Sequence, residues 1–457
     1  MDVRLSNYGN ASTRPSPVNR MMAAFASGFR DGVDINLGVG FVNENTIPVA
    51  LLTEAMQAVA ADPATYRQAF NYGGPHGSSN LIAAIKSFLC RRRTAGLDQA
   101  TLARKRLIVG PCGATSLLDA LAEVLAPGIA VTSDPMYYIY SDALERKGFE
   151  VLAVPEDREG IEPAALERKL LLLAERANRI SFFYAVTVNN PSCTVLSNAR
   201  RRVLYKVAAR LSRQQGRRIP IFFDLAYELL LHDPAAAAFQ SVLGEDDLDI
   251  AYEIGTLSKV LAPALRIGYL LGPDGPLMDA MVQKTSDTGF SAPQFVQEMA
   301  GYLLERHIEP QLRAVNAGYR EKALAVRAGI DRELGEFVAD CRGGSAGFYY
   351  YLTFRDIETH SASAFFQYLT RTTGRPETDG PPEDPLPRVI YIPGEYCVHP
   401  RGDLAEVGRR QLRLSYAFED TERILRALRL MRMAAQVSPA PMSSSGKDLC
   451  APGGRRR

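Results

Sequence analysis

The chain contains no tryptophan and only six cysteines and five histidines in 457 residues. Cys90, Cys112, Cys193, Cys341, Cys397 and Cys450 are scattered, with no Cys-x-x-Cys pair and no histidine at ligand spacing. That excludes a zinc site and a disulfide framework, and it fits a reducing compartment. No run of about 18 apolar residues occurs, so no membrane-spanning helix is expected. The first twenty residues lack the apolar segment of a secretory signal. An excess of one charge is also missing: 53 Lys and Arg against 51 Asp and Glu leave a formal charge of +2. Nothing there attracts nucleic acid or an acidic membrane surface. The expectation is a soluble, cytoplasmic protein with neither kind of partner and no bound metal.

Hydrophobic residues make up 46% of the chain and charged residues 23%, enough for a large core. Through the middle, strand-length apolar runs alternate with helical patterns. "RLIVG", "IAVTSDP", "FEVLAVPED", "ISFFYAVTV", "IPIFFDLAY" and "AYEIGTLSK" read as strands. "ATSLLDALAEVL" and "ARRRVLYKVAARLSRQQG" read as helices. This alternation predicts α/β units around a mostly parallel sheet covered by helices. From about Ala317 the texture changes to a long helix, then "GFYYYLTF", "PRVIYIPG" and "RQLRLSYAF", then a closing helix, which reads as a smaller α+β domain. The expected organisation is an N-terminal arm (1–55) joining the small domain, a large domain (56–316), the rest of the small domain (317–434) and a disordered tail (435–457). Thr372 to Pro387, rich in Pro, Gly and acid, reads as a loop.

Chemistry-bearing residues follow the strands, which is where open α/β sheets bind ligands. After the first strand, Gly113, Ala114 and Thr115 open a helix whose free N–H groups suit a phosphate. Tyr137, two residues after a proline, could stack on a flat ring or pack in the core. Asn190 precedes Pro191 and is held extended. Its amide could donate to a phenolic oxygen or cap a turn. Asp224 ends an apolar strand, where a buried acid needs a cation such as a protonated pyridine nitrogen. Asp224 as a helix N-cap is the competing reading. Tyr227 could share the phenolic oxygen with Asn190. In "GTLSKVLAPALRIGYLLGP", Lys259 sits in a small-residue turn beside Thr256 and Ser258, with Arg266 two helical turns downstream. A lysine so placed is a Schiff-base former, and the arginine and hydroxyls suit a phosphate.

The order S-K-x-L-A-P-x-L-R-x-G-Y, with "NNP" and "DLAY" upstream, resembles fold-type I pyridoxal 5′-phosphate (PLP) enzymes of the class I/II aminotransferase family. The similarity is to the branch holding aminoadipate/kynurenine aminotransferases and the effector domain of MocR-type regulators. It extends from about Asp34 to Met433, and it implies a large domain with a seven-stranded type of sheet plus a smaller α+β domain. It implies that Lys259 binds PLP covalently and shuttles the proton, that Asp224 pairs with the pyridine N–H, and that Asn190 and Tyr227 bond the ring oxygen. Tyr137 would stack on the ring. Gly113, Ala114, Thr115, Thr256, Ser258 and Arg266 would hold the phosphate. Arg413, in "RQLRLSYAF", would clamp the substrate α-carboxylate, with the backbone of Gly40 and the side chain of Asn190 nearby. Tyr72, in "FNYGGPHG", would reach the neighbouring subunit's phosphate, implying a homodimer with shared sites.

The chain departs from the family pattern at three places. Cys193 stands where the N-P-x-G turn has glycine, Val42 replaces a proline, and Thr115 replaces a glutamine-type residue. The implied activity is transfer of an amino group from an L-α-amino acid to a 2-oxo acid by a ping-pong route. Elimination, cyclisation or decarboxylation on the same scaffold is the alternative. A regulator reading would need a winged helix-turn-helix ahead of the domain, whereas the pattern begins within about thirty-five residues of Met1. Tyr138, Tyr140 and Tyr396 are expected to line the side-chain pocket; Arg14 and Arg20 read as surface residues or as partners of a distal carboxylate.

Overall fold

The computed structural model describes residues 3–92, 96–381, 383 and 385–438. Its largest sheet has eight strands in the order Lys105–Val109, Gly268–Pro273, Ala251–Thr256, Ile221–Asp224, Ile180–Val186, Ile129–Asp134, Glu150–Asp157 and Gly160–Ile161. The last is a two-residue addition, antiparallel to its neighbour, so seven strands carry the sheet. The central pairings are parallel, from Glu150–Asp157 across to Ala251–Thr256. All six expected strands of the middle region form. Three of them, Ile129–Asp134, Ile221–Asp224 and Ala251–Thr256, are buried along their whole length, as continuous apolar runs covered on both faces require.

The Gly268–Pro273 strand is an addition to those expected. It runs antiparallel to both neighbours, making the preceding segment, 257–267, a connection between two sheet strands. This corrects the helical reading of the Lys259–Arg266 spacing. Pro263 pushes Ala262 into extended geometry (φ −149°, ψ 132°), so no α-helix can pass through, and only a 3-10 turn, Pro263–Leu265, forms. Gly268 makes the join tight: a Cβ there would lie 2.3 Å from Ala114 N. Only glycine lets this strand start against the helix Gly113–Val124.

The second sheet is antiparallel, in the order Val338–Gly343, Tyr349–Phe354, Gln411–Ser415, Ile392–Pro393. The expected strand "PRVIYIPG" divides: Val389–Ile390 instead pairs in parallel with Ile35–Asn36. That pairing joins the N-terminal segment to the C-terminal part of the chain. Asp34, fully buried beside it, accepts from Arg30 at 2.8 Å and from Arg388 at 2.8 and 3.0 Å. Burial raises its carboxyl, but the two guanidiniums win and hold it down at about 2.

The long helix covers Ile308–Leu334, starting before the change of texture at Ala317. The stretch Thr372–Pro387 contains one helical turn, Pro376–Asp379. The closing helix, Thr421–Val437, runs into the segment read as a tail; residues 439–457 lie outside the described residues. Among the described residues, no helix is long and apolar enough to cross a membrane.

Candidate active site

A cavity of about 140 Å³ lies at the carboxyl ends of the parallel strands, lined by Ala114, Thr115, Tyr137, Asn190, Asp224, Tyr227, Thr256, Ser258, Lys259 and Arg266. Those ten residues are spread over more than 150 positions of chain, and the strand order brings them together. Each sits at the end of a strand or in the connection or helix start that follows one, where parallel strands all point their ends the same way.

Lys259 Nζ donates to the Gly40 carbonyl at 3.1 Å and lies 5.6 Å from the ring centres of both Tyr227 and Phe348. Burial pulls its amine down to about 8; the nearby cations Arg413 and Arg266 push the same way, and Asp224 opposes them. Asp224 is buried, with Oδ2 accepting from the Tyr184 hydroxyl at 2.7 Å and Oδ1 from the Ala226 N–H at 2.9 Å. Burial raises its carboxyl, against the bonds from Tyr184 and Ala226 and the charge of Lys259. The competing N-cap role is not what forms: the next helical turn, Glu228–Leu230, is preceded by Tyr227.

Arg266 adopts a left-handed backbone (φ 53°), and its guanidinium donates to the carbonyls of Cys112 at 3.1 Å and Pro263 at 3.2 Å. Gly113 is adjacent, its N–H bonded to the Arg266 carbonyl. Thr256 Oγ1 donates to the Ile267 carbonyl at 2.7 Å and meets Ser258 Oγ at 3.0 Å.

Arg413 is buried on the Gln411–Ser415 strand, next to the cavity. It donates to Asn190 Oδ1 at 2.8 Å and to the Gly38 carbonyl at 2.5 Å, and its guanidinium lies 4.3 Å from the Tyr349 ring centre. Its Nε has no partner, and among the described residues no carboxylate forms an ion pair with it. Asn190 therefore spends its oxygen on Arg413, and its NH₂ remains to donate into the cavity. Tyr227 does not meet Asn190; its hydroxyl lies 2.9 Å from that of Tyr349.

The sequence profile of the family "aminotransferase class I and II" matches residues 33–374. The chain belongs to that family. Over 365 residues it is 26% identical to the mitochondrial kynurenine/alpha-aminoadipate aminotransferase of Bos taurus, spanning 76% of this chain and 83% of that protein. Over 322 residues it is 25% identical to the HTH-type transcriptional regulator YdfD of Bacillus subtilis, spanning 70% of this chain but only 61% of the regulator's length. The crystal structure of a multiple substrate aminotransferase from Thermococcus profundus has the same fold, with a TM-score of 0.79 at 20% identity, covering 94% of this chain and 97% of the other. The expected fold type I architecture is thereby established.

Within this aminotransferase-family cavity, the unneutralised groups indicate what it suits. Asp224 is a buried carboxylate without an ion pair among the described residues, and a ring N–H bearing positive charge would balance it. Arg266, likewise without a carboxylate partner among the described residues, sits with two hydroxyls and the first turn of a helix, a donor set for a phosphate. Tyr137 supplies a flat wall. The residues present fit PLP.

Other residues singled out in the sequence lie away from this cavity. Tyr72 is 83% exposed, and it packs near Phe290 in a separate surface depression. Tyr140 is buried beneath the site against the Tyr184 ring, because it faces inward from its helix. Arg14 and Arg20 are exposed. Tyr138 does join an apolar cluster with Val18, Ile392 and Cys397, with Tyr396 packed against it.

Cys193 does take the backbone that the family gives to glycine, at φ 50°. The space is recovered at Gly347, where a Cβ would lie 2.6 Å from the Cys193 sulfur. Tyr184 and Tyr349 join the site without having been among its expected residues. Each stands in an aromatic run, "ISFFYAV" or "GFYYYLTF", and a tyrosine in such a run reads as core. Their only sequence signal is a hydroxyl that needs a partner if buried.

Proposed function

We propose that the chain binds PLP in this cavity and transfers an amino group from an L-α-amino acid to a 2-oxo acid, in two half-reactions at one site. Arg413 carries the reading: a buried guanidinium near the half-buried Lys259, with no carboxylate of its own among the described residues. An unpaired buried charge costs several kcal/mol, and a substrate α-carboxylate supplies the missing partner. Lys259 would hold the cofactor covalently through Nζ, and Asp224 would take its ring N–H. Asn190 and Tyr227 would bond the ring oxygen, with Tyr137 against the ring face. The backbone of Gly113, Ala114 and Thr115, with Thr256, Ser258 and Arg266, would receive the phosphate. When bound, PLP supplies an electron sink for the charge left at Cα and stores the amino group between half-reactions. Arg413 clamps the carboxylate from one side, with the Gly40 backbone nearby, and so orients the Cα–H bond. Lys259 Nζ, with its lowered proton affinity, would take the proton from Cα and deliver it to the cofactor carbon that carries the amino nitrogen.

The test is a single half-reaction. The loaded protein mixed with an amino acid alone should lose its visible absorbance, gain near-ultraviolet absorbance and release an equivalent of 2-oxo acid. Release of ammonia, carbon dioxide or a cyclised product would point to the alternative chemistries. Cofactor uptake with no reaction across a panel of amino acids would identify an effector-binding domain and overturn the proposal.

The same reading includes a homodimer. Tyr72 and Phe70, 83% and 76% exposed, lie together on the surface, and a second copy would cover them. Tyr72 would then reach the partner's phosphate. Tyr72→Phe should weaken PLP retention about tenfold, the loss of one charge-assisted hydrogen bond among several. A strictly monomeric, active species in analytical ultracentrifugation would refute the arrangement.

A further inference from the structure

The Tyr349 hydroxyl is a buried polar group with one side-chain partner, the Tyr227 hydroxyl at 2.9 Å. Space for it is made by Gly40, where a Cβ would lie 2.7 Å from the Tyr349 oxygen. Sheet register sets its surroundings. Tyr351 pairs with Arg413 and Tyr349 with Ser415, so Tyr349 lies diagonal to Arg413 on one face. Its ring therefore packs under the guanidinium, at 4.3 Å. A phenylalanine would provide that cation–π contact equally well, so the hydroxyl is there for something else.

We propose that Tyr349 is a positioning residue: its hydroxyl donates to the Tyr227 oxygen, turning Tyr227's own proton toward the ring oxygen of the bound cofactor and stabilising negative charge there. This rests on reading the cavity as the PLP site. In a pair of phenols the stronger acid donates. Burial raises both phenols, and Arg413, whose guanidinium lies against the Tyr349 ring, is the strongest influence opposing that rise at Tyr349, which makes Tyr349 the donor. The bond chain Tyr349 to Tyr227 to the ring oxygen then polarises in one direction, which strengthens its last link. The other ionisable groups facing the pair are Lys259 from the connection after Ala251–Thr256, Tyr137 and Tyr138 near one helix start, and Cys193. Among the described residues, none of them forms a hydrogen bond to either hydroxyl.

The consequence is spectroscopic. Negative charge on the ring oxygen is greatest once the nitrogen linking Lys259 to the cofactor has lost its proton. A donor to that oxygen therefore lowers the pH at which the visible chromophore titrates, and deleting the donor raises it. Wild type, Tyr349→Phe, Tyr227→Phe and the double variant should be loaded with PLP and titrated by absorbance. Tyr349→Phe should raise the midpoint by about 0.5 to 1 unit, the range of one net hydrogen bond. Tyr227→Phe should raise it further, and the double variant should match Tyr227→Phe, because Tyr349 acts through Tyr227. An unchanged midpoint in Tyr349→Phe, or additive shifts in the double variant, would overturn the proposal. A change confined to KM for the amino acid would assign Tyr349 to Arg413 packing alone and would also overturn it. Absence of any borohydride-sensitive visible band in wild type would instead refute the cofactor reading itself.

Discussion

Replacing Lys259 by alanine should leave a folded protein that still retains PLP through its phosphate and ring contacts, while turnover falls on the order of 10⁴-fold or more. The side chain is half-buried, and its one hydrogen bond is to the Gly40 carbonyl, so its loss removes chemistry rather than structural support. Borohydride, which should fix the cofactor to wild type irreversibly, should fix nothing to Lys259→Ala; a covalent adduct in that variant's mass spectrum would show that another lysine is the nucleophile. The environment of the amine adds a pH dependence. Burial first, then the charges of Arg413 and Arg266, hold its pKa at about 8, and the neutral amine is the nucleophile. At pH 7 about a tenth of it is neutral, against about one part in three thousand for an ordinary lysine. The rate of covalent loading of the apoprotein should therefore rise about tenfold per pH unit below 8 and level off above it. A rate that is flat from pH 6 to 9 would contradict this.

Arg413→Lys should reduce kcat/KM on the order of 10² to 10³-fold while PLP affinity changes little. An ammonium cannot reproduce the planar fork that meets a carboxylate with two parallel bonds. Nor can it simultaneously hold the Asn190 oxygen and the Gly38 carbonyl, as the guanidinium does. The substrate would lose one bond and its fixed orientation about Cα, and misorientation is the greater of those two losses. Because Arg413 does not line the cofactor cavity, the titrated affinity for PLP serves as the control. A loss below about fivefold in kcat/KM, or a parallel loss in PLP affinity, would remove Arg413 from the role of clamp.

How much of the site is readable in the sequence depends on the physics of each residue. Lys259, Asp224, Asn190 and the helix start at Gly113 each follow an apolar run of strand length, and parallel strands send those positions to one edge. Linear order is then enough to assemble them, without knowledge of any distance. Cys193 is legible for a different reason: the turn's backbone conformation is local, and the left-handed φ falls where the pattern places it.

The Lys259–Arg266 spacing mimics two helical turns because short-range periodicity cannot show that the next apolar run, Gly268–Pro273, doubles back as an antiparallel strand. Tyr184 and Tyr349 stay hidden because an aromatic in a strand looks alike whether its hydroxyl faces carbon or a carboxylate. The sequence by itself thus determined the α/β class, the order of the strand-end residues and the cofactor chemistry they suit, because these depend on local pattern and chain direction. The tertiary structure alone decided that Arg413 is left without an anion, that Lys259 is a weakened base and that Tyr349 lies under Arg413 against Tyr227. Those properties come from sheet register and shared burial, which bring distant residues into a low-dielectric space where each changes the charge of the next.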